Sequence, residues 1–148
     1  MTSWILTNLL AGAVLILVTV LIHAAGLLTL SRLLRGTIAR FQLHHHHLGT
    51  MSIMAATVLG LFVIHTLEIW VWALAYFLLG ALPNFYEALH YSTLSFSTLG
   101  AERVSATEEW QLFGSIEGVN GFLLIGWSTA YLIPAWTKHG PFHEDRYF

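Results

Sequence analysis

Three long stretches of this sequence carry no Asp, Glu, Lys or Arg: Met1 to Ser31, Phe41 to Leu67, and Gly118 to Thr137. Each reaches the roughly 20 residues, at about 1.5 Å of rise per residue, that a helix needs to cross a bilayer. The pattern predicts three membrane-spanning helices, over residues 4–31, 49–82 and 110–137. No basic residue precedes the first run, which also outlasts the apolar core of a cleaved secretory signal, so Trp4 to Leu30 is read as a retained helix.

Between the second and third runs the pattern changes. Residues 84–100, NFYEALHYSTLSFSTLG, mix apolar positions with Glu87, His90 and several hydroxyls. Pro83 and Asn84 supply a helix start, because proline is tolerated in a first turn and asparagine caps free amides. A helix from Phe85 to Ser97 follows, ending before Gly100, short and polar for a span. The basic residues decide whether it crosses. Arg32, Arg35 and Arg40 lie between the first two spans, and Lys138 and Arg146 after the last; the positive-inside rule places both groups in the cytoplasm. A crossing at 85–98 would put them on opposite sides. A segment that dips in and returns leaves only Arg103 outside, with the amino terminus outside as well. Re-entrant backbone cannot face lipid, where each unpaired amide costs several kcal/mol. A chain of this size has little protein to bury it in, so the pattern predicts an oligomer around a central axis.

Composition agrees. Of 148 residues, 56% are apolar or aromatic and 9% are charged, as befits an integral, all-α membrane protein partnered by the lipid bilayer. A net charge of -2 argues against a nucleic-acid partner. The absence of cysteine excludes disulfides, iron-sulfur clusters and thiolate zinc sites. The chain divides into residues 1–48, an additional helix with a histidine-containing linker; 49–138, outer helix, short helix, loop and inner helix; and 139–148, a short cytoplasmic tail.

A short helix ending at depth directs its partially negative carbonyl end toward the axis. Carbonyls of the following residues can replace a cation's hydration water if they point inward, which requires left-handed backbone that glycine adopts at little cost. Gly100 meets that need once. Ser97-Thr98-Leu99-Gly100 resembles the start of the potassium-channel signature Thr-Thr-Val-Gly-Tyr-Gly, and FYEALHYSTLSFSTLG resembles the pore helix before it. EEWQLFGSIEGVNGFLLIGWSTAYL is similar to the inner helix of small bacterial two-helix pore domains, with Gly121 at the hinge position. The resemblance covers about residues 50–137. It implies a homotetrameric cation channel, not an enzyme, with a permeant monovalent cation, potassium by default, and no small-molecule substrate or other cofactor. Ala101 stands where the family has tyrosine and Glu102 where it has the second glycine. The expectation is therefore that the ion sites of Thr98, Leu99 and Gly100 outlast those of Ala101 and Glu102, with weakened potassium selectivity. Four copies of Glu102 would ring the outer mouth; alternatively Glu102 and Arg103 pair in a solvated loop.

Other residues carry rival readings. Glu68 lies inside the second span with His65 one turn before it on the same face, as a proton-sensing pair or as a hydrogen bond at a subunit contact. Glu117 supports the loop or faces a cavity with Asn120; otherwise it caps a helix start. His44, His45, His46 and His47 form either a metal site or a solvated linker. Trp4, Trp70, Trp72, Trp110 and Trp136 fit interfacial anchors. Nine histidines also allow a metal- or haem-binding membrane enzyme, although paired His-x-x-His-His clusters are missing and His23 and His65 have no diagnostic surroundings. A channel-like scaffold that does not conduct is the remaining alternative.

Overall fold

A computed structural model describes residues 2–41, 47–100 and 106–139. It contains α1 (Thr2–Phe41), α2 (His47–Leu78), α3 (Phe85–Phe96), a 3₁₀ turn (Glu108–Trp110) and α4 (Gln111–His139). Three of the helices, α1, α2 and α4, are long and apolar enough to cross a membrane. α1 continues ten residues beyond the expected stop at residue 31, carrying its arginines past the apolar run. α2 ends at Leu78, short of the expected 82, because Gly80 turns the chain with φ 68°. Hydroxyls within the spans do not need water. Thr7, Thr29, Thr66 and Thr129 each donate to the carbonyl one turn back, so their polarity is satisfied inside their own helix.

Directions follow from the cross-helix contacts. α1 and α2 are antiparallel, with Gly26 against Ile64 and Gly60 against Leu30, small residues that allow close approach. α1 and α4 are parallel: Asn8 meets Phe113, Thr19 meets Asn120 and Ser31 meets Tyr131. The chain between α2 and α4 therefore leaves one end of the bundle and comes back to it. Its return is closed by the Thr107 amide, which donates to the Ala81 carbonyl at 3.3 Å.

The core fills the space between that hairpin and the long helices. Trp72, Tyr76 and Phe113 are fully buried with mutual ring contacts of 4.9–6.4 Å, flanked by Tyr91, Phe96 and Trp110. This corrects the anchor reading for two tryptophans. Trp72 and Trp110 are core residues, whereas Trp4 and Trp70 are exposed; the side chain of Trp136 lies outside the described residues. Leu6, Leu10, Leu17 and Leu21 on α1 and Leu59 and Phe62 on α2 form apolar outer faces, suited to lipid.

Candidate functional site

α3 is held at both ends by its own sequence. Asn84 is the N-cap and its Oδ1 accepts from the Glu87 amide at 2.9 Å, while its Nδ2 donates to the Glu87 carboxylate at 3.0 Å. At the other end the Thr98 amide donates to the Ser95 carbonyl and the Leu99 amide to the Leu94 carbonyl, both at 3.0 Å. This pair of bonds is a Schellman stop, which places the residue after the C-cap in the left-handed region. That residue is Thr98, with φ 60°. Gly100 follows with φ 78°. Where the sequence leads one to expect a single left-handed position, there are two, separated by Leu99. A β-branched residue pays roughly 1–2 kcal/mol for that conformation, so local propensity did not disclose it. Leu99 is exposed. Ala101 and Glu102 lie outside the described residues, as do His44, His45 and His46; His47 is the first residue of α2.

Three glycines of α4 seat this short helix. A Cβ at Gly114 would strike the Tyr91 hydroxyl, one at Gly118 would lie 3.3 Å from the Ser95 carbonyl oxygen, and one at Gly121 would collide with the Phe96 backbone. Gly121 is thus the point where the end of α3 touches α4, a packing role that its place in the sequence did not reveal. A groove of about 290 Å³ runs beside this contact, lined by Ser95, Thr98, Gly100, Gln111, Ser115 and Gly118.

Glu117, fully buried, ties the same region together. Its two oxygens accept from the Tyr76 hydroxyl of α2 at 2.8 Å and the Ser92 hydroxyl of α3 at 2.5 Å. One carboxylate therefore joins three helices behind the turn at Thr98. Asn120, its companion in the sequence, turns instead to α1 and donates to the Thr19 hydroxyl at 2.9 Å. Asn8 does the converse at the N-terminal end of α4: its Oδ1 accepts from the Phe113 amide at 2.9 Å and its Nδ2 donates to the Glu109 carbonyl at 2.8 Å. It acts as a cap supplied by another helix, and only its polarity in an apolar run could have flagged it.

A second polar group lies where α1, α2 and α4 meet. Glu68 is fully buried between two imidazoles, with His23 Nδ1 at 2.9 Å and His65 Nδ1 at 2.8 Å. Ser128 Oγ faces both rings on their other side, 3.0 Å from His65 Nε2 and 3.5 Å from His23 Nε2. His65 and Glu68 do pair, as their spacing predicts, but their further partners come from the same chain. His23, which the sequence left without surroundings, completes the group because α1 runs antiparallel to α2. The donor atoms of His23, His65 and Glu68 lie within 4.8 Å of one another, a set that can hold a metal ion.

Comparison with known proteins gives a family match. The family model described as ion channel matches residues 64–138, about half of the chain, from the middle of α2 to the end of α4. No curated protein and no solved structure matches the chain.

Proposed function

Because this chain belongs to that ion channel family, a two-helix, potassium-channel-like group of membrane proteins, we propose that it is a homotetrameric cation channel. α2, α3, the loop after α3, and α4 form the pore, and potassium or another monovalent cation crosses it down its gradient. One observation carries this reading. α3 starts near the end of α2 yet finishes beside His65 and Gly121, with the Phe96 and His65 rings 5.7 Å apart. His65 lies 13 residues back from the end of α2 at Leu78, about 20 Å at ~1.5 Å per residue, so α3 stops near mid-membrane rather than crossing. Left-handed backbone at Thr98 and Gly100 then turns the chain at the depth where four copies can meet on an axis and offer carbonyl oxygens. The groove beside Thr98 and Gly118 provides room for the neighbouring copy's loop. Glu117 and the three glycines act as the loop's support. In the inner membrane of a cell, the arginines at the C-terminal end of α1 and Lys138 at the end of α4 favour an amino terminus outside and a carboxyl terminus in the cytoplasm.

Purified protein in liposomes under a potassium gradient should pass cations, with weak preference for potassium over sodium. Intact tetramers that carry no monovalent cation would refute the reading. One observation favours the non-conducting scaffold instead: the Leu94 and Ser95 carbonyls at the end of α3 already accept bonds from Leu99 and Thr98, which leaves each oxygen less able to serve an ion. Restoring the signature with Ala101→Tyr and Glu102→Gly together separates the two. Current in the double variant alone would identify the natural loop as a plug.

A further inference from the structure

The geometry points to a divalent transition-metal site, suited to zinc, formed by His23, His65 and Glu68 and joining α1 to α2 inside the membrane. The argument begins with charge. Among the described residues, the ion pairs of Glu68 are with these two histidines alone, and a carboxylate at this depth needs a positive partner. Hydrogens are also too few. Two neutral imidazoles and one hydroxyl bring three hydrogens to four contacts, the two Nδ1 contacts with Glu68 and the two Nε2 contacts with Ser128. One contact must stay empty.

A divalent cation between the two Nδ1 atoms and the carboxylate meets both needs. It replaces the hydrogens on the Glu68 side with coordinate bonds, and its charge answers the carboxylate's. Each imidazole then carries its hydrogen on Nε2, and both Nε2–H groups point at Ser128 Oγ, whose two lone pairs can accept them. A ligating histidine whose other nitrogen donates to a fixed oxygen is the usual outer support of a metal site. Two imidazole nitrogens and one carboxylate oxygen, with a fourth position for water, make a donor set that zinc accepts. With zinc–ligand bonds of about 2.0–2.2 Å, neighbouring ligand atoms of a tetrahedral ion lie roughly 3.3 Å apart, so the Nδ1–carboxylate contacts of 2.8 and 2.9 Å need to open by only about 0.5 Å to admit it. His65 remains 18% exposed while the other two ligands are fully buried, so entry is past His65. None of its ligands belongs to the His44–His47 run.

The test uses the full chain in detergent, stripped by chelator, with His44, His45, His46 and His47 all changed to alanine to remove the competing run. Zinc chloride is titrated by calorimetry, and bound metal is counted after desalting. The expected result is one zinc per chain, at least tenfold weaker binding in His23→Ala and in Glu68→Gln, and a thermal stabilisation by zinc that both variants lose. Ser128→Ala keeps all three ligands and should weaken binding about 10- to 100-fold, as loss of an outer partner does. Cobalt in place of zinc should give visible absorption bands that vanish in His23→Ala. No zinc bound by the parent lacking the His44–His47 run would overturn the proposal and leave a cluster completed by a fourth hydrogen alone. Binding that survives in the His23→Ala, Glu68→Gln double variant would overturn it equally. None of these readouts depends on ion conduction, so this site and the channel reading can fail separately.

Discussion

Gly121→Ala tests whether α3 is seated where the structure puts it. A Cβ at position 121 would lie 2.8 Å from the Phe96 carbonyl carbon and 2.9 Å from its Cα, and closer still to the oxygen. Ordinary carbon contacts are about 3.5–4.0 Å, so α3 must withdraw by roughly 1 Å. The obstacle is backbone, not the flexible tip of a side chain, and α3 is itself tied by Glu117, so relaxation is restricted. Overpacking of this kind costs about 1–3 kcal/mol, from which alanine's better helix propensity returns about 0.5–1 kcal/mol. The net expectation is a loss centred near 1 kcal/mol, with a span of roughly 0–2.5 kcal/mol. Gly126→Ala in the same helix is the control, because a Cβ there meets nothing within 4 Å; it should stabilise by about 0.5–1 kcal/mol. Thermal unfolding of the detergent-solubilised protein, followed by tryptophan fluorescence, should place the two variants on opposite sides of wild type. Equal melting temperatures would refute the seat. A residue that serves only as a bending point would melt like the Gly126→Ala control and alter conduction alone.

Other perturbations follow from the same geometry. Glu117→Ala leaves the Tyr76 hydroxyl without its acceptor, at about 1–3 kcal/mol, while the Ser92 hydroxyl falls back on the Ile69 carbonyl at 2.9 Å; Glu117→Gln keeps an oxygen and should cost less, and denaturant melts will rank them. Thr98→Gly removes left-handed strain and should raise stability by about 1 kcal/mol, while any ion flux that depends on the threonine hydroxyl falls in the liposome assay. Asn8→Ala uncaps α4 and should cost about 0.5–2 kcal/mol, with faster hydrogen exchange at the Phe113 amide as its local signature. Trp72 Nε1 is buried without a hydrogen-bond partner among the described residues, so Trp72→Phe should destabilise by less than the 3–5 kcal/mol typical of removing a large core aromatic.

Signals that act locally along the chain were legible. Charge-free runs marked α1, α2 and α4, the asymmetry of the arginines turned the chain back between α2 and α4, and Pro83-Asn84 marked the start of α3 within a residue. What stayed hidden depends on which face of each helix meets which neighbour. In water a polar stripe reveals the buried side, but here both sides are apolar and periodicity has nothing to report. His23, Glu68 and Ser128 are far apart in sequence and meet only once helix directions and register are fixed. Trp72 and Trp110 suited the membrane surface as well as the core. Gly121 was noticed for its freedom, and its missing Cβ turned out to matter for closeness.

α4 is fastened to α1 at successive levels, through Asn8, through Thr19 and Asn120, and through Ser31 and Tyr131. A rod pinned at several heights cannot swing without its partner, so any tilt of α4 drags α1 along or breaks these pins in turn. The far side of α1 is apolar and exposed, so whatever displaces α1 is felt by α4 through these pins.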